Sequence, residues 1–162
     1  MPSAPARVSS LIKLQARCSH RAGETFHRHG ALRAMVWVTE DADGVSEFET
    51  GCSAPADVSD AVALETLCDE MRADFAHDGV TAYAVAFVGP VTFIGIGLAI
   101  LAHPPTERRR VVIVEAHNAH NRLVATREII VGAWPRLGPL QRHTQATGRF
   151  RGLLTARAME AS

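Results

Sequence analysis

The feature that most constrains this chain is a run of 23 residues, from Val80 to Ala102, that contains no charged side chain. The sequence His103-Pro104-Pro105 ends the run, and a second apolar stretch, Val111 to His117, follows. A helix rises 1.5 Å per residue, so this run could cross the roughly 30 Å hydrocarbon layer of a bilayer. A single-pass membrane protein that spans the bilayer with residues 80–102 is therefore one interpretation.

The composition of the run favours a second interpretation, in which it forms strands. Gly89-Pro90 stands at its centre, and proline in a helix interior costs about 3 kcal/mol. The residues on both sides of this pair are mainly Val, Ile, Phe, Tyr and Ala, which are typical of buried strands. A Gly-Pro pair is also a turn signal, so we expect two strands that fold back at Gly89-Pro90 inside a soluble protein.

Two further elements follow from the spacing of apolar residues. Residues 31–50 predict a β-hairpin, because two alternating segments flank Asp41-Ala42-Asp43-Gly44, which has the composition of a tight turn. Residues 57–77 predict an amphipathic helix, because apolar residues recur there at intervals of three and four and Asp78-Gly79 follows. Residues 122–131 fit both a strand and a short helix, and we slightly favour the helix.

Together these elements predict an α+β protein. An antiparallel sheet is built from the 31–50 hairpin and from strands within 80–117, and the 57–77 helix packs on one face. We expect a single core domain over residues 31–135. Residues 1–30 are expected to be a loosely ordered basic segment, within which Val8 to Arg21 could form a short helix whose apolar residues fit one face only in part. Residues 136–162 are expected to be a basic, turn-rich segment.

Charge and cysteine content bear on location and on partners. Acidic residues predominate from Glu40 to Asp78, and arginines predominate after Leu137. We expect these oppositely charged faces to neutralise one another within the protein. The three cysteines cannot all pair with one another, and charged residues interrupt the apolar residues near the N-terminus, so we expect a cytoplasmic protein. Residues 1–23 are also basic and free of acidic residues, which leaves a targeting role open.

Two clusters of potential metal ligands occur in the chain. Glu115 and His117 lie on one face of a predicted strand, and His120 follows in the next turn, so the three could bind one divalent ion and activate water for hydrolysis. Cys18, His20, His27 and His29 form a second set, but their spacing is unusual for a structural zinc site. For both clusters the simpler interpretation is a solvated surface.

The chain has no phosphate-binding glycine loop, no nucleophile elbow and no HEXXH motif. The first hypothesis is therefore a noncatalytic binding or accessory protein, which binds a protein partner or forms a homodimer through an exposed strand edge. The alternatives are a metal-dependent hydrolase that uses Glu115, His117 and His120, and the membrane protein described above. A further alternative is nucleic-acid binding through the C-terminal arginines, Arg142, Arg149, Arg151 and Arg157. The net charge of zero makes this alternative weak, because a nucleic-acid-binding protein usually has an excess of basic residues.

Overall fold

The computed structural model describes residues 4–50, 61–94, 97–100, 109–144, 146 and 148–160. Its helices are α1 (Ala4–His29), α2 (Ala61–Asp78) and α3 (Ala156–Glu160). Its strands are β1 (Met35–Asp41), β2 (Gly44–Thr50), β3 (Ala82–Ile94), β4 (Gly97–Ile100), β5 (Arg109–Asn118), β6 (Arg122–Ile130) and β7 (Arg136–His143).

The strands form one antiparallel sheet in the order β2-β1-β3-β5-β6-β7, and β4 pairs with the distal end of β3. The expected α+β class is confirmed. The hairpin is also confirmed: the Asp41 carboxylate accepts hydrogen bonds from the backbone amides of Asp43 and Gly44, and Gly44 has a positive φ of 137°. Glycine adopts this conformation without the steric cost that a side chain would add.

The apolar run does not fold back at Gly89-Pro90, as the sequence suggested, because β3 continues through both residues. Strand β1 pairs with β3 only as far as Ala86, and β4 begins pairing at Val91, so Pro90 has a ladder partner only on the β5 side. Gly89 leaves room for the Ile113 side chain, because a Cβ atom at residue 89 would lie only 2.9 Å from it. The glycine and the proline therefore suit a strand at this position.

The single-pass interpretation of residues 80–102 is wrong, because residues 82–94 and 97–100 are strands. Within the part of the chain that the structure describes, no helix has the length and apolar character needed to span a bilayer.

Residues 4–29 form a long helix, in contrast to the loosely ordered segment expected for residues 1–30. Helix α1 buries a stripe of residues at intervals of three and four, and this stripe packs on the sheet residues Val36, Val38, Val112 and Val114. The stripe consists of Leu11, Leu14, Cys18, Ala22 and Phe26. Helix α1 therefore covers one face of the sheet.

Helix α2 covers the opposite face, as expected, although residues 57–60 of the predicted helix lie outside the described residues. Its Leu67, Cys68, Met71 and Phe75 are buried with the sheet residues Trp37, Tyr83 and Ile113. Gly79, with a φ of 67°, follows the end of this helix. Phe150 and Leu153, from the irregular segment before α3, complete the same cluster.

Two strands replace structures expected to be a helix and a turn-rich segment. Residues 122–130 are strand β6, and Arg127, which interrupts its apolar face, donates hydrogen bonds to the backbone oxygens of Ser19 and Gly138. Residues 136–143 are strand β7 at the end of the sheet. An edge strand tolerates Pro139, because one side of its backbone has no ladder partner.

Candidate functional site

Two side chains predicted to share a face of β5, Glu115 and His117, are adjacent in the structure. His117 Nε2 lies 3.1 Å from Glu115 Oε1. Glu115 has no exposed surface and His117 is 5% exposed. Alternate residues of a strand point to the same face, so their contact follows directly from the i, i+2 spacing.

Glu115 is also bound by a segment distant in sequence. Its Oε2 accepts a hydrogen bond of 2.7 Å from the Arg149 backbone amide, and its Oε1 accepts one of 3.1 Å from the Phe150 amide. Gly148 packs against the carboxylate so closely that a Cβ atom there would lie 2.3 Å from Oε1. The carboxylate is therefore enclosed by β5 and the segment that precedes α3.

Tyr83 also contacts His117 and the segment that precedes α3. Its ring stacks on His117 with a centroid distance of 5.0 Å, and its hydroxyl donates a hydrogen bond to the Phe150 carbonyl. Burial raises the pKa of the Tyr83 phenol, so the hydroxyl remains a hydrogen-bond donor at neutral pH. Glu115, Tyr83 and the segment around Phe150 thus fix the position of the His117 ring.

A polar cleft of about 450 Å³ opens at this end of β5. It is lined by His117, Asn118, His120, Asn121, Arg122 and Arg151. The Asn118 side-chain oxygen accepts hydrogen bonds from the backbone amides of His120 and Asn121, which fixes the turn between β5 and β6. We call this space the polar cleft.

The lining residues give the polar cleft a cationic character. Arg122 and Arg151 contribute two guanidinium groups, and no described lining residue is acidic. Glu115 lies behind His117 and does not line the cleft. Nearby, burial lowers the pKa of the Arg149 guanidinium, while the negative charge of Glu115 acts in the opposite direction.

The structure does not assemble a three-ligand metal site from the residues predicted to form one. Glu115 and His117 are in contact, and His120 lies in the lining of the polar cleft. Among the described residues, no three His, Cys, Asp or Glu side chains are placed to hold a metal ion together. The metal-dependent hydrolase therefore rests on the sequence pattern alone.

The second candidate cluster lies on α1, and the helix separates Cys18 from His20. Cys18 is buried, and its Sγ donates a hydrogen bond to the Val36 carbonyl, whereas His20 is exposed and lies 3.6 Å from Glu24. A helix directs residues 18 and 20 to different faces, because consecutive residues are separated by about 100°.

The C-terminal arginines do not form one surface. Arg142 donates a hydrogen bond to the Gln15 side chain on the α1 side of the sheet, whereas the Arg149 backbone binds Glu115 on the α2 side. Arg151 lines the polar cleft, and Arg157 lies on α3. This distribution differs from the continuous basic stripe typical of a nucleic-acid interface.

The sequence does not connect Asn118, Asn121 and Arg122 with a site at His117, and it points to Arg151 only as one of the C-terminal arginines. Asn118 and Asn121 belong to the turn that follows His117, and this turn is the local signal that links them to it. Arg151 is 34 residues beyond His117 in the chain, and no short-range pattern connects the two.

Comparison of the chain with protein-family models, curated proteins and solved structures found no match in any of the three.

Proposed function

We propose that this protein is a noncatalytic binding domain whose ligand is a small anion with a carboxylate or phosphate group, held in the polar cleft. The observation that carries the proposal is the lining: two guanidinium groups, two imidazoles and two amides, with no carboxylate among the described lining residues. Guanidinium groups bind carboxylates and phosphates in a bidentate geometry, which suits them to such a ligand.

A binding role is supported over a catalytic one by the environment of Glu115. A general base must come within hydrogen-bond distance of the proton that it removes. Glu115 is fully buried, and its oxygens already accept bonds from two backbone amides and approach His117 Nε2. The described lining residues also include no serine, threonine or cysteine that could act as a nucleophile.

The experiment is a calorimetric titration of the full chain with inorganic phosphate and with succinate. We expect binding of at least one anion, weakened about tenfold or more when Arg122 and Arg151 are both replaced by alanine. Arg157→Ala is the matched control, because this arginine is exposed and does not line the cleft. Absence of binding to both anions, or equal weakening by Arg157→Ala, would contradict the proposal.

A protein partner, or a second copy of this chain, is the second candidate, and strand β2 is the observation that favours it. This strand pairs with β1 at the end of the sheet, six of its seven residues are exposed, and Val45 and Phe48 are among its exposed side chains. An exposed strand edge can pair with another chain. Sedimentation equilibrium should show association that Val45→Lys weakens, and a monomer at every concentration would exclude self-association.

A reducing, cytoplasmic location is part of the same proposal. It is supported by Cys18 and Cys68, which are buried free thiols on opposite sides of the sheet.

A further inference from the structure

A second cavity lies on the opposite side of the sheet from the polar cleft, where α1 ends. It has a volume of about 490 Å³, within the range of roughly 300–1,000 Å³ that is usual for small-molecule sites. Phe26 and Leu32 belong to its wall, with Val88 from β3 and Ile129 from β6. We call this cavity the apolar pocket.

The end of α1 shapes the mouth of the apolar pocket. Gly30 lines the pocket and has a φ of 68°, and its amide donates a 2.7 Å hydrogen bond to the Phe26 carbonyl. This is the left-handed ending that glycine commonly gives a helix. The chain therefore turns away beside Phe26.

Two cationic side chains also line the apolar pocket. Arg33 and Arg110 line the pocket and are both exposed, and no described lining residue is acidic. The pocket thus combines an apolar wall with two solvent-exposed guanidinium groups. This pairing is complementary to a molecule that has an apolar body and an anionic head.

The surface beside the apolar pocket is also apolar. Val131 lines the pocket and is 87% exposed. Trp134 is 58% exposed, and its ring lies 3.8 Å from the position that a Cβ atom of Gly30 would occupy. Its indole N–H donates to the His27 carbonyl, which holds the ring at the end of α1.

From this geometry we propose that the apolar pocket binds an amphiphilic carboxylate, with the aliphatic chain against Phe26, Leu32, Val88 and Ile129 and the carboxylate at Arg33 and Arg110. The site goes beyond the small-anion function proposed for the polar cleft, and it uses a different set of residues on the other face of the sheet.

The test uses calorimetric titration of the full chain with octanoate, decanoate and octan-1-ol. Burial of a methylene group strengthens binding about fourfold, so decanoate should bind up to about fifteenfold more tightly than octanoate. Octanoate should bind more tightly than octan-1-ol, which has the same chain length and no charge. Inorganic phosphate, the probe for the polar cleft, should not compete with decanoate, so the two proposals can fail independently.

The variants separate the contribution of charge from that of the cavity. Replacing both Arg33 and Arg110 by alanine should weaken decanoate binding roughly tenfold and leave octan-1-ol binding unchanged. Arg28→Ala, an exposed arginine of α1 that does not line the pocket, is the matched control. Ala31→Phe fills space in the lining and should weaken both ligands.

The proposal is overturned if decanoate does not bind, if octanoate and octan-1-ol bind equally, or if the double variant and Arg28→Ala have the same effect. Unchanged binding of both ligands to Ala31→Phe would place them elsewhere on the protein and overturn it as well. Circular dichroism of each variant establishes that it is folded before the titration.

Discussion

Glu115 shows how one buried carboxylate can organise a region of the molecule. Burying a charge is costly unless hydrogen bonds compensate for the lost water. Here two backbone amides and one imidazole surround the carboxylate, and the amides belong to a segment more than 30 residues away in the chain. Glu115 therefore attaches the segment before α3 to the centre of the sheet.

Gly148→Ala tests how tightly this attachment is packed. The new Cβ atom would lie 2.3 Å from Glu115 Oε1, and the carboxylate cannot move without losing its backbone hydrogen bonds. We expect the free energy of unfolding, measured by urea denaturation, to fall by about 2–3 kcal/mol. The φ of Gly148 is outside the left-handed region, so this cost comes from steric overlap.

Gly132→Ala is the matched control. The atom nearest to its added Cβ would be 3.9 Å away, which is an ordinary contact. Its free energy of unfolding should stay within about 0.5 kcal/mol of the wild type. Equal stability of the two variants would show that the segment yields at Gly148 and that Glu115 does not fix it.

At the scale of elements, the sequence predicted best those structures that depend on near neighbours. The β1–β2 hairpin and helix α2 follow from an Asp-Gly turn and from a regular apolar repeat, which are both local signals. The contact between Glu115 and His117 needed only the alternation of a strand. The partners of Glu115 at residues 149 and 150 could not be predicted, because no local pattern links them to β5.

The sequence predicts at most a short helix over residues 8–21, whereas α1 spans residues 4–29, because polar residues interrupt its buried face. Gln15 has no exposed surface, and its side chain donates a hydrogen bond to the Val114 carbonyl and accepts one from Arg142. Gly23, which resembles a break in the sequence, allows Arg127 to pass, since a Cβ atom there would lie 2.8 Å from its guanidinium. In both cases a residue that weakens the helical pattern serves a tertiary contact.

Leu11→Ala tests the contribution of α1 to stability. Leu11 is 1% exposed and belongs to the cluster under the helix, so its truncation should lower the free energy of unfolding by about 2–4 kcal/mol in urea denaturation. Ile12→Ala, at an exposed position one residue later, should cost less than about 1 kcal/mol. Similar small losses for both variants would mean that α1 adds little to the core.

At the scale of the whole molecule, the uneven charge of the sequence is partly neutralised between elements. Arg17 of α1 donates a 2.6 Å hydrogen bond to Glu47 of β2, and Arg21 lies within 4 Å of both Glu47 and Glu49. Because these ion pairs are partly exposed, each contributes little to the free energy of unfolding. The basic partners in these pairs belong to α1, whereas the sequence pattern set the acidic stretch against the arginines after Leu137.

The two apolar clusters share the strands between them, so we expect them to unfold together. Val36 and Trp37 are consecutive in β1, yet Val36 belongs to the cluster under α1 and Trp37 to the cluster under α2. Detaching either helix would expose alternate residues of the same central strands to water. Neither cluster can therefore be lost without weakening the sheet that supports the other.

Cys18 and Cys68 report on these two clusters separately. Burial raises the pKa of both thiols, which leaves them in the unreactive protonated form while the protein is folded. In a Cys52→Ser variant, both should react with iodoacetamide only as urea unfolds the sheet, and their midpoints should coincide with the loss of the circular-dichroism signal. Alkylation of Cys18 at a urea concentration that leaves Cys68 protected would show that α1 separates from an intact sheet, because Cys18 belongs to the cluster under α1 and Cys68 to the cluster under α2.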